Sequence, residues 1–142
     1  MQFAPLPEST IQQLLAQCAP QAADPARAAA YSQGSLTRAR QAAEALELLS
    51  AAEQGPIWPS AVAAQLPRTA AAARQSAHAV LDVLTLALHR AWLAEQAPAQ
   101  RKQLQEALNN LENYKIAVTR NVSPAIVVET ALMGLDHLHV TV

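Results

Sequence analysis

Two histidines and an aspartate have the spacing that a metal site on one helix would use. Asp82 follows His78 by four residues, and His89 follows Asp82 by seven, so one helix face could present all three. Zinc sites need three or four converging ligands, and the sequence contains no other clustered His, Cys or acid that clearly completes the set. The pattern therefore favours residues of a polar or partly buried helix face over a small metal-dependent enzyme.

Other catalytic motifs are missing from the sequence. A phosphate-binding loop needs a glycine-rich turn followed by Lys and Ser/Thr, and the chain has three glycines, none in that pattern. Cys18 has no second cysteine with which to form a disulfide or a thiolate cluster, and it is interpreted as a small apolar residue at a helix end. We therefore predict no catalytic residue, no cofactor and no metal.

Composition predicts a folded, all-α protein. The chain has 142 residues, of which 51% are hydrophobic and 15% charged, with much alanine, few glycines and 4% aromatics. Its net charge of −1 disfavours direct binding to nucleic acid. No signal peptide and no run of about 18 apolar residues is recognisable, which predicts a cytoplasmic location.

Prolines and capping residues punctuate seven predicted helices. Asp24 and Ser123 each precede a proline and can cap the first turn, while Gly34 can close one helix in the left-handed conformation before Ser35 caps the next. The predicted helices cover about 10–18, 25–33, 36–52, a short segment through Val62 and Leu66, 69–95, 98–118 and 124–135.

The long helix and the last helix have the widest apolar surfaces. Apolar residues point in nearly every direction around the second half of the helix over 69–95, which predicts that other helices surround it. The last helix has a broad apolar face with Ile126, Val127, Thr130, Leu132 and Met133. Four of these residues, Ile126, Val127, Thr130 and Met133, are interpreted as a possible partner interface.

Composition changes across the connector 55–59, which predicts two helical units, residues 1–54 and 55–142. Trp58 in this connector could wedge the units together, and Trp92 among leucines is predicted to lie in the core. Arg27, Arg38 and Arg40 form a local basic group, interpreted as a solvated face or, alternatively, as a contact for phosphate or a partner.

Three stretches resemble a known family. They are residues 3–7 (FAPLP) before Ile11 and Leu14, residues 34–39 (GSLTRA), and residues 120–124 (RNVSP) with 128–133 (VETALM). The chain resembles the C-terminal half of bacterial DNA polymerase III clamp-loader subunits, most of all the delta-prime type. The resemblance implies a three-helix lid over 1–54 and a collar-like helical bundle over 55–142.

The same resemblance implies a non-catalytic role in DNA replication. Its expected partners are other clamp-loader subunits, tau/gamma and delta, with indirect contact to the sliding clamp and DNA within a DNA polymerase holoenzyme. Gly34, Ser35, Thr37 and Arg38 correspond to the sensor-2 region, where Thr37 stands at the usual arginine position. The ATPase domain that precedes the lid in such subunits is not part of this sequence, so a fragment and a short natural protein both stay open.

A different function fits the same helices. The chain could be a free-standing helical adaptor or homodimer that uses its apolar faces for a partner unrelated to replication.

Overall fold

The computed structural model describes residues 4–22, 24–50, 58–138, 140 and 142. Within them the chain is all-α, as predicted, with no strand. The helices are α1 (Glu8–Cys18), α2 (Pro25–Ala30), α3 (Leu36–Ser50), α4 (Trp58–Ala64), α5 (Ala70–Ala94), α6 (Pro98–Thr119) and α7 (Pro124–Leu135), followed by a 3₁₀ turn (Asp136–Leu138). No helix among these residues is both long and apolar enough to cross a bilayer.

Helix boundaries lie close to the predicted ones, with exceptions in α1, α2 and α4. α4 ends at Ala64 and does not extend through Leu66, because the amides of residues 65 and 66 bond to carbonyls only three residues back, in a turn. α1 begins at Glu8, two residues earlier than predicted, because Pro7 already has the extended conformation of an N-cap residue. α2 ends at Ala30 instead of residue 33, since residues 32–35 form a separate turn. The predicted end of α3 at residue 52 and residues 55–57 of the predicted connector lie outside the described residues. The last two residues of that connector, Trp58 and Pro59, are not a connector but the first residues of α4.

Two of the three predicted N-caps, Asp24 and Ser123, have different outcomes. The Asp24 side chain accepts a hydrogen bond from the Arg27 amide at 2.9 Å, which confirms its cap on α2. Ser123 occupies the N-cap position of α7, but its side chain makes no capping bond, so that part of the prediction was wrong. Pro124 at the first helical position accounts for this start, because its fixed φ suits a helix and it has no amide hydrogen to satisfy.

α5 is the central helix of the bundle. It packs against α3, α6 and α7, which confirms that the long helix is surrounded. Its buried residues therefore lie on several sides of the axis and include Val80, Leu81, Val83, Leu84 and Leu88. Full burial of each such side chain contributes about 1.5–3 kcal/mol, so α5 supplies much of the stability.

α3 connects α1 and α2 to the rest of the bundle. It packs on α1 and α2 on one side and on α5 on the other. Small buried residues, Ala39, Ala42 and Ala45, allow these neighbouring helices to approach α3 closely. One continuous hydrophobic cluster extends from α1 to the end of the chain, and the boundary predicted at 54/55 lies outside the described residues.

Arg90 of α5 contacts the end of α2 through a hydrogen bond. Its guanidinium donates to the Ala30 carbonyl at 2.6 Å and lies 4.7 Å from the centroid of the Tyr31 ring. A cation is favourable at a helix C-terminus, where backbone carbonyls lack amide partners, and over the face of an aromatic ring. Arg90 thereby fixes where the α2–α3 junction lies on α5.

Candidate functional site

The junction between α6 and α7 positions the last helix. Asn121 has a positive φ of 66°, and the Val122 amide donates to the Ala117 carbonyl at 3.2 Å. This is the 6→1 hydrogen bond of a Schellman motif, in which a left-handed residue ends a helix and redirects the chain. Asn tolerates that conformation better than most residues with a side chain. Val122 and the start of α7 are therefore held at a defined place on the bundle.

One face of α7 and the residue before it is apolar and exposed. Val122, Ile126 and Met133 are 43%, 60% and 63% exposed. Thr130 is also exposed, and Ile126, Thr130 and Met133 are spaced by four and three residues, so these three project from one side of the helix, whereas Val122 lies two residues before its start. The Thr130 hydroxyl donates to the Ile126 carbonyl at 2.7 Å and needs no other partner. We call Val122, Ile126, Thr130 and Met133 the α7 face.

The structure divides the residues predicted for the partner interface between two sides of α7. Of the four predicted residues, Ile126, Thr130 and Met133 lie on the α7 face, whereas Val127 is 4% exposed. Val127 packs in the core because α7 contacts α4, α5 and α6, so its side chain is not available on the surface. Val122 is exposed just before α7 and was missed, because helical periodicity does not apply to a residue outside the helix.

Gly34 lies in a tight turn that the N-terminal segment covers. Gln33 and Gly34 both have positive φ, 50° and 82°, and the Ser35 amide donates to the Ser32 carbonyl at 3.0 Å, as in a type I′ turn. The Gly34 carbonyl accepts from the Leu6 amide at 3.1 Å. A Cβ on Gly34 would lie 2.2 Å from the Pro5 Cβ. The predicted left-handed glycine is confirmed, but it belongs to this turn and does not directly cap α2.

The remaining residues of the sensor-2 region lie at the start of α3. Ser35 Oγ accepts a long hydrogen bond of 3.4 Å from the Arg38 amide, consistent with its predicted cap. Thr37 is exposed, and the Arg38 side chain donates to the Gln33 side chain. Arg38 also borders a pocket that α5 and α6 complete, so this region faces the rest of the bundle.

The three residues considered for a metal site do not converge, and two of them have separate contacts. Asp82 forms a salt bridge of 2.9 Å with Lys115 of α6, and the His89 ring stacks on Trp92 with centroids 6.0 Å apart. Within the described part of the chain, no three His, Cys, Asp or Glu residues are grouped to hold a metal ion. Among the described residues, His78 and His89 therefore share no ligand position.

Trp92 is partly buried instead of lying in the core. The side chain packs partly against the hydrophobic cluster, and His89 and Arg101 lie next to its ring. The Arg101 guanidinium lies 4.3 Å from the ring centroid, which stabilises the start of α6 against the end of α5. Trp58 is also partly buried against the cluster, at the start of α4.

Comparisons with protein-family models, with curated proteins and with solved structures found no match to the chain. The resemblance to clamp-loader subunits therefore stays a prediction from the sequence.

Proposed function

We propose that the chain is a non-catalytic assembly module that binds a helix of a partner protein through the α7 face. The observation that carries this proposal is the exposure of two large apolar side chains, Ile126 and Met133, on one side of α7, together with the exposed Val122 just before the helix. Single exposed apolar residues are common on protein surfaces, but a contiguous apolar patch is typical of an interaction site. A partner helix would cover Ile126 and Met133 with its own apolar stripe.

The family resemblance supports a specific identity for the partner. We propose that the partners are clamp-loader subunits of the tau/gamma and delta kind, and that the chain contributes collar-like helices to their assembly. In this role it works in the cytoplasm and in DNA replication as part of a polymerase holoenzyme, with indirect contact to the sliding clamp and DNA. Clamp-loader collars associate through their helices, and α7 corresponds to the final collar helix.

A binding measurement with matched variants tests the proposal. The chain is mixed at about 10 μM with purified tau/gamma and delta subunits and analysed by gel filtration with light scattering. Ile126→Asp places a charge in the centre of the α7 face, and it leaves the helix intact because an acidic residue is favourable in the first turn. Leu93→Asp is the control, since Leu93 on α5 is 61% exposed and lies on another helix.

We expect the unmodified chain and Leu93→Asp to co-elute with the partner subunits and Ile126→Asp to elute alone. Failure of the unmodified chain to co-elute would exclude the clamp-loader proposal. A chain that instead forms a homodimer, separated into monomers by Ile126→Asp, would support the alternative of an adaptor or homodimer unrelated to replication. Equal binding by both variants would exclude the α7 face as the interface.

A further inference from the structure

The exposed side of α7 has one acidic edge. Glu129 follows Ile126 by three residues, and Asp136 follows Met133 by three, so both carboxylates lie along the same flank of the apolar stripe. Asp136 has helical φ and ψ of −54° and −35°, so the phase of α7 continues to it. Both acidic residues are exposed. We call Glu129 and Asp136 the acidic edge.

The neighbouring helices leave the acidic edge without a cation. Ser60 of α4 donates a hydrogen bond to the Glu129 carboxylate, which places this edge next to α4. α4 contains no charged residue, and residues 121–142 contain no Lys or Arg. All salt bridges among the described residues are formed by Lys102 or Lys115 of α6, so Arg120 before α7 does not pair with the edge. Its negative charge is therefore not balanced within the part of the chain that the structure describes.

The opposite flank of the stripe carries no charge. There Val127 is buried, and Gly134 has no side chain and lines a pocket that α6 completes. In heptad notation, Ile126 and Met133 are d positions, Thr130 is the a position between them, and the acidic edge occupies the two g positions. Charges at e and g positions select the partner and the orientation of paired helices. A helix that packs on this stripe thus meets charge on one flank only.

The position of Asp136 also calls for an external cation. Asp136 is the C-cap residue of α7, where the negative end of the helix dipole disfavours a carboxylate. A cation brought by a partner would offset both this carboxylate and the free carbonyls of the last helical turn.

We propose that the helix that covers the α7 face is basic along one flank, with Lys or Arg at positions seven residues apart beside its apolar stripe. This inference rests on the proposed function and specifies the chemistry of the partner. Seven residues are about two helical turns, which matches the spacing of Glu129 and Asp136. Each cation pairs with one carboxylate at the rim of the apolar contact, where ion pairs determine specificity and orientation more than affinity.

A second copy of the chain fits the acidic edge poorly. In an antiparallel pair of α7 helices, the two acidic edges would lie against each other and repel. In a parallel pair, each edge would face the uncharged flank with Val127 and Gly134. Neither arrangement supplies a cation, so the charges favour a different chain over a homodimer.

Binding of two model peptides to the full chain tests the charge preference. Both peptides are three heptads long with leucine at every a and d position. One has lysine at all e and g positions and the other has glutamate there, so each peptide repels its own copies. Fluorescence anisotropy at about 50 mM salt measures their affinities for the unmodified chain. We expect the lysine peptide to bind at least about tenfold more tightly, with a smaller difference at about 500 mM salt.

Matched variants test where the lysine peptide binds. Glu129→Gln/Asp136→Asn removes the charge of the acidic edge and keeps an acceptor for Ser60, whereas Glu44→Gln/Glu47→Gln removes two exposed charges from α3. The lysine peptide should bind the first variant about three- to tenfold more weakly and the second with unchanged affinity. An equal loss in both variants would show a response to net charge alone and would overturn the proposal, as would unchanged affinity in the first.

The remaining outcomes separate this inference from the proposed function. Equal binding of the two peptides, abolished by Ile126→Asp, would exclude a basic partner and keep the α7 face as the interface. Absence of lysine-peptide binding up to about 1 mM would also contradict the inference, whereas co-elution with tau/gamma and delta tests the clamp-loader proposal separately. A homodimer that Ile126→Asp separates would contradict it too, because a second copy would then cover the face. The comparison of the two peptides on the unmodified chain does not depend on how any variant folds.

Discussion

The α2–α3 and α6–α7 junctions both depend on a residue with positive φ, and they differ in what covers them. Each contains a left-handed residue, Gly34 in the first and Asn121 in the second. Pro5 and Leu6 pack over the first junction, so closely that Gly34 has no room for a side chain. The second leads into the exposed Val122 and Ile126. A junction that is covered by another segment of the same chain contributes to the stability of the fold. A junction that leaves apolar side chains exposed to solvent is available to a partner.

The largest expected effect comes from a side chain at Gly34. Gly34→Ala should lower the free energy of unfolding by about 2–4 kcal/mol, because a left-handed non-glycine residue and a contact with Pro5 both cost energy. Urea unfolding measures the change. Gly134→Ala is the control: no atom lies within 4 Å of its added Cβ, and alanine should stabilise α7 by about 0.5–1 kcal/mol. A neutral Gly34→Ala would show that the N-terminal segment does not pack against this turn.

The second comparison separates the two sides of α7. Val127→Ala should lower the free energy of unfolding by about 1–3 kcal/mol, because the side chain is buried among α4, α5 and α6. Ile126→Ala should change it by less than about 0.5 kcal/mol, since that side chain is largely in water. Thermal or urea unfolding of both variants provides the measurement. Similar losses would mean that the α7 face is already covered within the folded chain.

The third comparison concerns the helix starts near each junction. Asp24→Ala should lower the free energy of unfolding by about 1 kcal/mol, because it removes the acceptor for the Arg27 amide. Ser123→Ala should have an effect below about 0.5 kcal/mol, since the Ser123 side chain makes no capping bond. Urea unfolding at neutral pH distinguishes the two. A loss of 1 kcal/mol in Ser123→Ala would show that this hydroxyl caps α7 in solution.

The smallest expected effect is at Asn121. Glycine adopts positive φ without steric cost, so Asn121→Gly should change the free energy of unfolding by less than about 0.5 kcal/mol. The same urea experiment applies. A loss above about 1 kcal/mol would indicate that the Asn121 side chain makes a stabilising contact and that the two junctions differ in more than their cover.

Helix positions were largely predictable because local chemistry determines them. Asp24-Pro25, Ala97-Pro98 and Ser123-Pro124 indicated three helix starts that the structure confirms at Pro25, Pro98 and Pro124. The end of α2 was predicted three residues too late, because the turn at residues 32–35 depends on two consecutive positive φ values, one of them at Gln33. A glycine signals such a conformation in a sequence, but a glutamine does not.

The candidate surfaces were only partly predictable. Periodicity identified α7 as strongly apolar, but it did not separate Ile126 and Met133 from Val127 and Leu132. Which apolar side of a helix is buried depends on the helices around it, and α4, α5 and α6 decide this for α7. The pocket at Arg38 was not foreseen as a pocket, because Lys115 and Asp82 come from helices far along the chain.

By itself, the sequence determined the all-α class, most of the helix boundaries and the need for a left-handed residue at Gly34. These features depend on interactions between residues a few positions apart, which composition, capping and 3.6-residue periodicity report directly. Tertiary structure alone decided which face of α7 stays exposed, and it decided that Arg38 lacks a carboxylate partner within the described residues while Lys115 has two. Burial and pairing of this kind arise between distant segments, whose packing no local pattern encodes.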